Sequence, residues 1–141
     1  MSRLGYFLLS EDIENFEYNN GKNSLAIIGP ILGLKIPYIP STYTLYFSAG
    51  VVDVDTNDEQ SIKIEVNNKV RNEKAFEFFK DLKVPSDIKN TESKDNTMFF
   101  QISGALKNIL FKDEGIYEIQ FYLNNVLLGT TEIKVELNNN I

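Results

Sequence analysis

The chain has 141 residues, of which 43% are hydrophobic and 24% are charged, and its net charge is −6 at pH 7. This composition is typical of one globular domain and excludes a disordered chain. The negative charge excludes nucleic acid and anionic membranes as expected partners, because their phosphate groups would be repelled.

Histidine and cysteine are both absent from the chain. Their absence removes the commonest general base, the thiol nucleophile and the disulfide framework, so we expect neither catalysis of those classes nor a bound cofactor. It also suits a reducing compartment, and the expected location is the cytoplasm. A pair of carboxylates acting as acid and base is the remaining enzymatic alternative.

The N-terminal third is predicted to hold two strands. Residues 1–10 form a short apolar patch, too brief for a secretory signal, and are predicted to be the first strand. Ser24–Ile31 is predicted to be a second strand that is interrupted by Gly29 and Pro30. The apolar stretch Leu25–Ile39 is shorter than the ~20 residues of a membrane span, so no membrane segment is expected.

Two prolines flank an aromatic residue in the segment Ile36–Pro40. Proline stops regular strand pairing and can hold Tyr38 and Ile39 in a rigid, exposed turn. Rigid aromatic side chains are good anchors for a protein partner, because little side-chain entropy is lost on contact. The alternative is that both side chains cap the core.

Two further strands are predicted around an acidic connection. Thr42–Val51 and Ser61–Asn67 alternate apolar with polar residues, which is the two-residue period of a half-buried strand. Between them, Asp53, Asp55 and Asp58 present oxygen ligands of the kind that suit calcium. Their spacing does not fit an EF-hand, and the alternative is a solvated loop without a metal.

The middle of the chain allows two interpretations. In Arg71–Leu82, Phe76 and Phe79 recur at helical spacing, whereas Phe76 and Phe78 fit the alternation of a strand. The preferred prediction is a short helix within an insertion at residues 69–96, followed by an exposed polar loop.

The C-terminal third has the clearest periodicity. An inward row is predicted at Met98–Ile102. Tyr117–Leu123 and Thr131–Leu137 alternate in polarity in the same way and are predicted to be neighbouring strands of one sheet. They are joined at Asn124 and Asn125, and asparagine tolerates the positive φ angles of a two-residue hairpin turn.

Residues 113–117 (D-E-G-I-Y) have the D-x-G-x-Y spacing of a tyrosine corner. In such a corner the tyrosine hydroxyl group hydrogen-bonds to the backbone just upstream, and the glycine supplies an unusual φ angle. With the alternating strands, the motif predicts an all-β, immunoglobulin-like β-sandwich of about seven to nine antiparallel strands. The predicted domain spans residues 1–137, and residues 138–141 are predicted to be a frayed tail.

Several segments carry a common pattern, namely Ser24–Pro30, Ile36–Ser41, Leu106–Phe111 and the E-G-x-Y motif at 114–117. In these segments the chain resembles a family of uncharacterised, mostly bacterial immunoglobulin-like β-sandwich proteins, classed as a domain of unknown function. The sequence departs from that pattern within Lys69–Asn96, where the insertion is predicted. The resemblance implies a fold and no activity, since it offers no catalytic residues to carry over.

Aromatic side chains fall on the outward parity of the predicted strands at Tyr46, Phe99 and Tyr122. Together they can form an apolar patch on a sheet face, and such a patch marks a protein partner or self-association. The alternative is that the insertion at residues 69–96 covers them.

The predicted function is a non-enzymatic protein-interaction or structural module, because such a role needs none of the missing chemistry. One alternative is a virion component, or an inhibitor of a host or defence protein, encoded by a phage or mobile element. Another is a carbohydrate-binding sandwich, although the absence of tryptophan weighs against it.

Overall fold

The computed structural model describes residues 2–17, 23–55, 59–82 and 97–138. In this part of the chain there is no helix, and the prediction of an all-β fold is confirmed. The strands within it are β1 (Arg3–Glu17), β2 (Asn23–Pro30), β3 (Gly33–Ile36), β4 (Ser41–Asp55), β5 (Gln60–Asn68), β6 (Glu73–Leu82), β7 (Thr97–Phe111), β8 (Gly115–Leu123) and β9 (Val126–Leu137).

The strands form two sheets, a four-stranded sheet of order β2-β1-β4-β7 and a five-stranded sheet of order β3-β9-β8-β5-β6. Neighbouring strands are antiparallel except β3 and β9, which are parallel. The prediction of antiparallel strands is therefore wrong for β3. After β2 the chain crosses to the other sheet, where Leu32 accepts a backbone hydrogen bond from Lys134 at 3.2 Å, and it then runs beside β9 in the same direction.

The two sheets stack over one apolar core, because alternate residues of each strand point into the space between them. Aromatic rings cross this space: the centroids of Phe7 and Phe121 are 5.4 Å apart, and those of Phe47 and Phe78 are 5.5 Å apart. The largest side chains with no exposure are Tyr117, Phe47, Phe111, Phe121, Leu45, Ile62, Ile64, Leu106, Ile109 and Ile119.

The short helix predicted for the middle of the chain is wrong, because residues 73–82 form β6 at the edge of the five-stranded sheet. Phe76 and Phe78 lie opposite Val66 and Ile64 of β5 and pack against the core, whereas Phe79 is 57% exposed. The strand spacing of Phe76 and Phe78 therefore prevails over the helical spacing of Phe76 and Phe79. Pairing with β5 supplies hydrogen-bond partners for the backbone of β6 and packs both inward rings against the core. The polar loop predicted after this strand lies outside the described residues.

The hairpin predicted at the C-terminus is confirmed. β8 pairs with β9, and Asn124 and Asn125 have φ angles of 49° and 64°. The turn is also tied to β5, because the Asn124 carboxamide oxygen accepts the backbone N–H of Ser61 at 2.8 Å and its amide nitrogen donates to Gln60 at 2.6 Å. Beyond β9, Asn138 donates its backbone N–H to Ile36 at 2.8 Å, and residues 139–141 lie outside the described part.

The buried hydroxyl group of Tyr117 makes the backbone hydrogen bond that the D-x-G-x-Y spacing predicts. It donates to the carbonyl oxygen of Asp113 at 3.0 Å, and Gly115 between them has a φ angle of 130°. The hydroxyl oxygen accepts from the side-chain amide of Asn68 at 3.3 Å. Asn68 is 2% exposed and also accepts the backbone N–H of Val70 at 2.9 Å, so one side chain joins the end of β5 to the turn before β8.

The carboxylate of Asp113 belongs to the same cluster. It accepts hydrogen bonds from Nε of Arg71 at 2.6 Å and from the amide of Asn68 at 2.9 Å. The bond from Arg71, followed by the bond from Asn68, holds the pKa of Asp113 below its ordinary value of 3.8.

Replacing Tyr117 with phenylalanine should destabilise the fold by about 1–3 kcal/mol, because buried polar partners of the hydroxyl group lose their hydrogen bonds. The measurement is the free energy of unfolding in urea. Tyr38→Phe is the matched control, since Tyr38 is 72% exposed and should change the midpoint little. Equal losses in the two variants would contradict the structural role of the Tyr117 hydroxyl group.

The lowered pKa of Asp113 predicts a loss of stability in acid. The contribution is fully present above the unfolded-state pKa, near 3.8, and is lost as the pH falls through the lower folded-state pKa. Asp113→Asn should therefore flatten the acid limb of a plot of urea midpoint against pH, between about pH 2 and pH 7. Asp81→Asn, which removes a charge from the exposed edge of β6, is the control, and an acid limb that is equally steep in Asp113→Asn and the native chain would refute the assignment.

Candidate interaction surface

The outer face of the five-stranded sheet is covered by charged side chains. Opposite charges are interspersed there, as is usual for a solvated face, and their Coulomb interactions are weak. The ion pairs on or beside this face are Lys63–Glu65, Lys74–Glu65, Lys74–Glu77, Lys69–Glu118 and Lys134–Glu136.

The central part of the outer face of the four-stranded sheet is different, because β1, β4 and β7 present no outward charged side chain over residues 6–8, 46–52 and 99–105. Charged residues flank this part on the same face, among them Asp12 and Lys107. Side chains alternate along a strand, so the neighbours of the inward residues Phe7, Phe47 and Phe100 point outward. We call this surface the uncharged face, and its residues are Tyr6, Leu8, Tyr46, Ser48, Gly50, Val52, Phe99, Gln101, Ser103 and Ala105.

The ring of Tyr6 lies across the middle of the uncharged face. A Cβ atom at Gly50 would stand 2.5 Å from Cε1 of Tyr6, so the ring occupies the space that a side chain at position 50 would need. The Tyr6 hydroxyl group is 3.0 Å from Oγ of Ser48, which is itself buried. The tyrosine is therefore held flat on the sheet, with its polar end satisfied.

The uncharged face carries exposed apolar side chains on two of its strands. Leu8 of β1 is 41% exposed and Phe99 of β7 is 80% exposed. Between these strands β4 contributes Ser48, which is buried, and β7 also contributes the small residues Ser103 and Ala105. The face therefore presents two exposed apolar side chains beside small residues.

Only two of the three outward aromatic residues lie on the same sheet. Tyr46 and Phe99 belong to the uncharged face, whereas Tyr122 lies in β8 on the charged face. There Nζ of Lys63 is 4.4 Å from the centroid of the Tyr122 ring, and the hydroxyl group donates to Gln120 at 2.9 Å. The expectation of one patch containing all three residues is therefore wrong. The alternation along a strand shows that a side chain points away from the core, but only the sheet order shows on which sheet it lies.

The insertion does not cover Tyr46 and Phe99 with any of its described residues. Its segment 73–82 is β6, which lies in the other sheet. Residues 83–96, which complete the predicted insertion, lie outside the described part of the chain.

The proline-flanked turn separates the two residues that were predicted to act together. Tyr38 is 72% exposed, as the anchor interpretation requires. Ile39 packs against the core, as the capping alternative requires. The turn precedes β4 at Ser41, whereas Phe99 lies near the other end of β4, so Tyr38 and the uncharged face do not form one surface.

The acidic segment does not assemble a metal site among the described residues. Asp53 has a φ angle of 59° at a bulge in β4, and its carboxylate is 3.4 Å from Nε of Arg3. Asp55 is the last residue of β4, and Asp58 lies outside the described residues. No group of three metal-ligating side chains occurs in the described part, and a guanidinium group already occupies the side of Asp53.

A cleft of about 430 Å³ opens between the ends of β8 and β9. The ionisable groups that line it are engaged with one another or with the backbone. Nζ of Lys134 is 2.9 Å from the Glu136 carboxylate, and this contact raises the pKa of Lys134 and lowers the pKa of Glu136. The Glu114 carboxylate accepts the backbone N–H of Leu137 at 2.7 Å. A lysine held in its charged form is a poor nucleophile, so the cleft does not suggest covalent catalysis.

The described part of the chain contains no helix that is long and apolar enough to cross a membrane.

Comparisons with known proteins identify the family and show a fold similar to part of a solved structure. No curated protein matches the chain. Among solved structures, the chain is similar to the Pseudomonas fluorescens alkylpurine DNA glycosylase AlkC bound to DNA containing an abasic site analogue, with a TM-score of 0.52 and 6% identity. The match covers 96% of this chain and 30% of the glycosylase chain, so the chain spans less than a third of that protein, and the likeness concerns the fold alone.

The family model with the description "Family of unknown function (DUF6941)" matches residues 5–136. This range includes the inward rows of both sheets, the residues 113–117 motif and the closing hairpin. The chain therefore belongs to this family of unknown function, DUF6941.

Proposed function

We propose that this protein is a non-enzymatic interaction module with an immunoglobulin-type β-sandwich. The strand order supports this topology: β1, β4 and β7 correspond to strands A, B and E of such a sandwich, and β9, β8, β5 and β6 correspond to strands G, F, C and C′. Tyr117 then stands near the start of strand F, which is the position of a tyrosine corner.

The observation that carries the proposed function is the uncharged face. In a chain with a net charge of −6, the central part of the outer surface of one sheet lacks charge while the other sheet carries a series of ion pairs. Depletion of charge together with exposed aromatic and aliphatic side chains is the compositional mark of an interface centre.

A second copy of the chain is the occupant that this surface fits best. Two acidic molecules repel each other wherever their charged surfaces meet, and the uncharged face is where they approach with the least repulsion. An isologous contact about a two-fold axis would bring the exposed Phe99 and Leu8 of one molecule against the same face of the other.

The size of the face sets the strength of this dimer. With strands about 4.8 Å apart and about 3.3 Å per residue, three strands and seven residues give on the order of 300 Å² of flat area. Stable complexes bury ~800 Å² per partner, so the dimer is expected to be weak and to depend on concentration.

Other classes of function have less support from the described residues. The glycosylase similarity brings no DNA-binding function with it, because the net charge of −6 opposes contact with phosphates. An enzymatic function has less support because the chain contains neither histidine nor cysteine, the commonest general base and thiol nucleophile. The absence of cysteine also supports a reducing location such as the cytoplasm. A role as a virion component or as an inhibitor of another protein is compatible with an interaction module and would use the same face.

We expect the native chain to shift from monomer to dimer in sedimentation velocity between about 10 µM and 1 mM. Phe99→Glu and Tyr46→Glu, each tested alone, should weaken the dimer at least about tenfold, because they bring carboxylates together across the two-fold axis.

Phe79→Glu is the control for both variants. Phe79 is 57% exposed on the outer face of the other sheet, so it adds the same charge to an exposed aromatic position away from the proposed contact. A chain that stays monomeric up to about 1 mM, or a control that weakens the dimer as much as Phe99→Glu, would refute self-association through the uncharged face.

A further inference from the structure

The edges of the two sheets are protected to different degrees. An unpaired edge strand presents free backbone N–H and C=O groups, and proteins usually block it with charges, short strands or a covering element. At one edge of the five-stranded sheet β3 has only four residues, and at the other edge β6 carries Glu73, Lys74, Glu77, Lys80 and Asp81. β7 lies alongside β6, and Lys112 after β7 contacts the Glu73 carboxylate at 3.3 Å.

The remaining edge strand, β2, has none of these protections over most of its length. Its sequence, N-S-L-A-I-I-G-P, contains no charged residue, and its proline is the last residue. Among the described residues β2 pairs only with β1, so its other edge has no strand partner in this part of the chain.

β2 and the second half of β1 form a projecting hairpin, which we call the arm and define as Ser10–Glu17 with Asn23–Pro30. β1 pairs with β4 only as far as Ser10, and from there to Glu17 its partner is β2. The apolar arm residues Ile13, Ile27 and Ile28 are not part of the shared core, and Ile28 is 39% exposed. A two-stranded hairpin is marginally stable in water, and a third strand would stabilise it.

The two faces of the arm differ in chemistry. Asp12 and Glu14 lie on one face of β1, opposite Ile28 and Ala26 of β2, and both carboxylates are exposed. Ile13 lies on the other face, opposite Ile27, and Glu11 lies at the end of that face. Beside residues 12–14 an added strand therefore meets two carboxylates on one face and Ile13 and Ile27 on the other.

The carboxylates of β1 are within reach of such a strand. The residue opposite Glu14 on β2 is Ala26, whose small methyl group does not block the Glu14 side chain from reaching across β2. On the opposite face a glutamate already reaches this far, because a Cβ atom at Gly29 would lie 3.0 Å from Oε2 of Glu11, so the Glu11 side chain extends over β2. Two strand spacings are about 9.6 Å, which a lysine and a glutamate side chain can bridge together.

We propose that the free edge of β2 binds an extended segment of another protein in which basic and apolar residues alternate. The backbone of the segment adds to β2 as a new edge strand, its lysine or arginine side chains contact Asp12 and Glu14, and its apolar side chains lie beside Ile27. The segment is a different ligand from a second copy of the chain, since the arm of a second copy would bring further carboxylates to the same place.

The test uses the full chain and a labelled eight-residue peptide of alternating lysine and valine, capped at both ends, with binding followed by fluorescence anisotropy. Saturable binding is expected, and a peptide with glutamate in place of lysine should bind at least about tenfold more weakly. No saturable binding of the lysine peptide would overturn the proposal.

Two peptides N-methylated at alternate residues separate strand addition from charge attraction. Methylation at one set of positions blocks the N–H groups that face β2, and methylation at the other set blocks N–H groups that face solvent. One methylated peptide should lose binding and the other should retain it. Equal binding of both would show attraction without strand addition and would overturn the proposal.

Paired variants of the chain locate the site. Asp12→Asn with Glu14→Gln should weaken the peptide about tenfold while keeping the shapes of both side chains. Glu77→Gln with Glu132→Gln removes the same charge from the other sheet and should leave binding unchanged. Equal weakening by both pairs would overturn the assignment to β2.

The Phe99→Glu chain, measured in the same way, separates this site from the proposed dimer. Unchanged peptide binding by Phe99→Glu is expected, whatever the outcome for self-association, because Phe99 lies on β7 at the opposite edge of the sheet. Loss of peptide binding in Phe99→Glu would show that the peptide occupies the uncharged face and would overturn the proposal.

Discussion

The buried hydroxyl group of Tyr117 is the interaction on which the arrangement of the five-stranded sheet depends. It accepts from Asn68 at the end of β5 and donates to the backbone of Asp113, just before β8 begins. The ring is packed edge to face against Phe111 of β7, with centroids 4.9 Å apart. One residue therefore joins the last strand of the four-stranded sheet to two strands of the other sheet, and a buried polar group that is fully satisfied specifies one packing more strictly than apolar contacts alone.

The stacking that this cluster maintains divides every strand between a core side and an outer side. On the core side the two sheets are alike, because both supply aromatic and branched aliphatic residues. On the outer side they differ, because the five-stranded sheet carries paired charges and the four-stranded sheet carries Tyr6, Leu8, Tyr46 and Phe99 among small residues. The self-association proposed for the uncharged face would give this asymmetry a physical explanation.

The proposed site on the arm differs in kind from the proposed contact on the uncharged face. A contact through the face would use side chains and a broad partner, whereas strand addition at the edge of β2 would use backbone groups and an extended segment. The two surfaces share β1 but use different parts of it, since Tyr6 and Leu8 belong to the face and Ser10–Glu17 belongs to the arm. The two proposals can therefore be tested separately by substitution.

The sequence alone determined the all-β class, the closing hairpin at Asn124 and Asn125 and the bond from Tyr117 to Asp113, because each depends on a local period or a short spacing. Only the tertiary structure decided that residues 73–82 are an edge strand, since helical and strand spacing compete there until β5 supplies a partner. It also decided that Tyr122 lies apart from Tyr46 and Phe99, and that Asn68 joins the corner across 49 residues. A parity pattern states which residues face outward, but the sheet order that assigns each face depends on contacts between distant strands, and these leave no local trace.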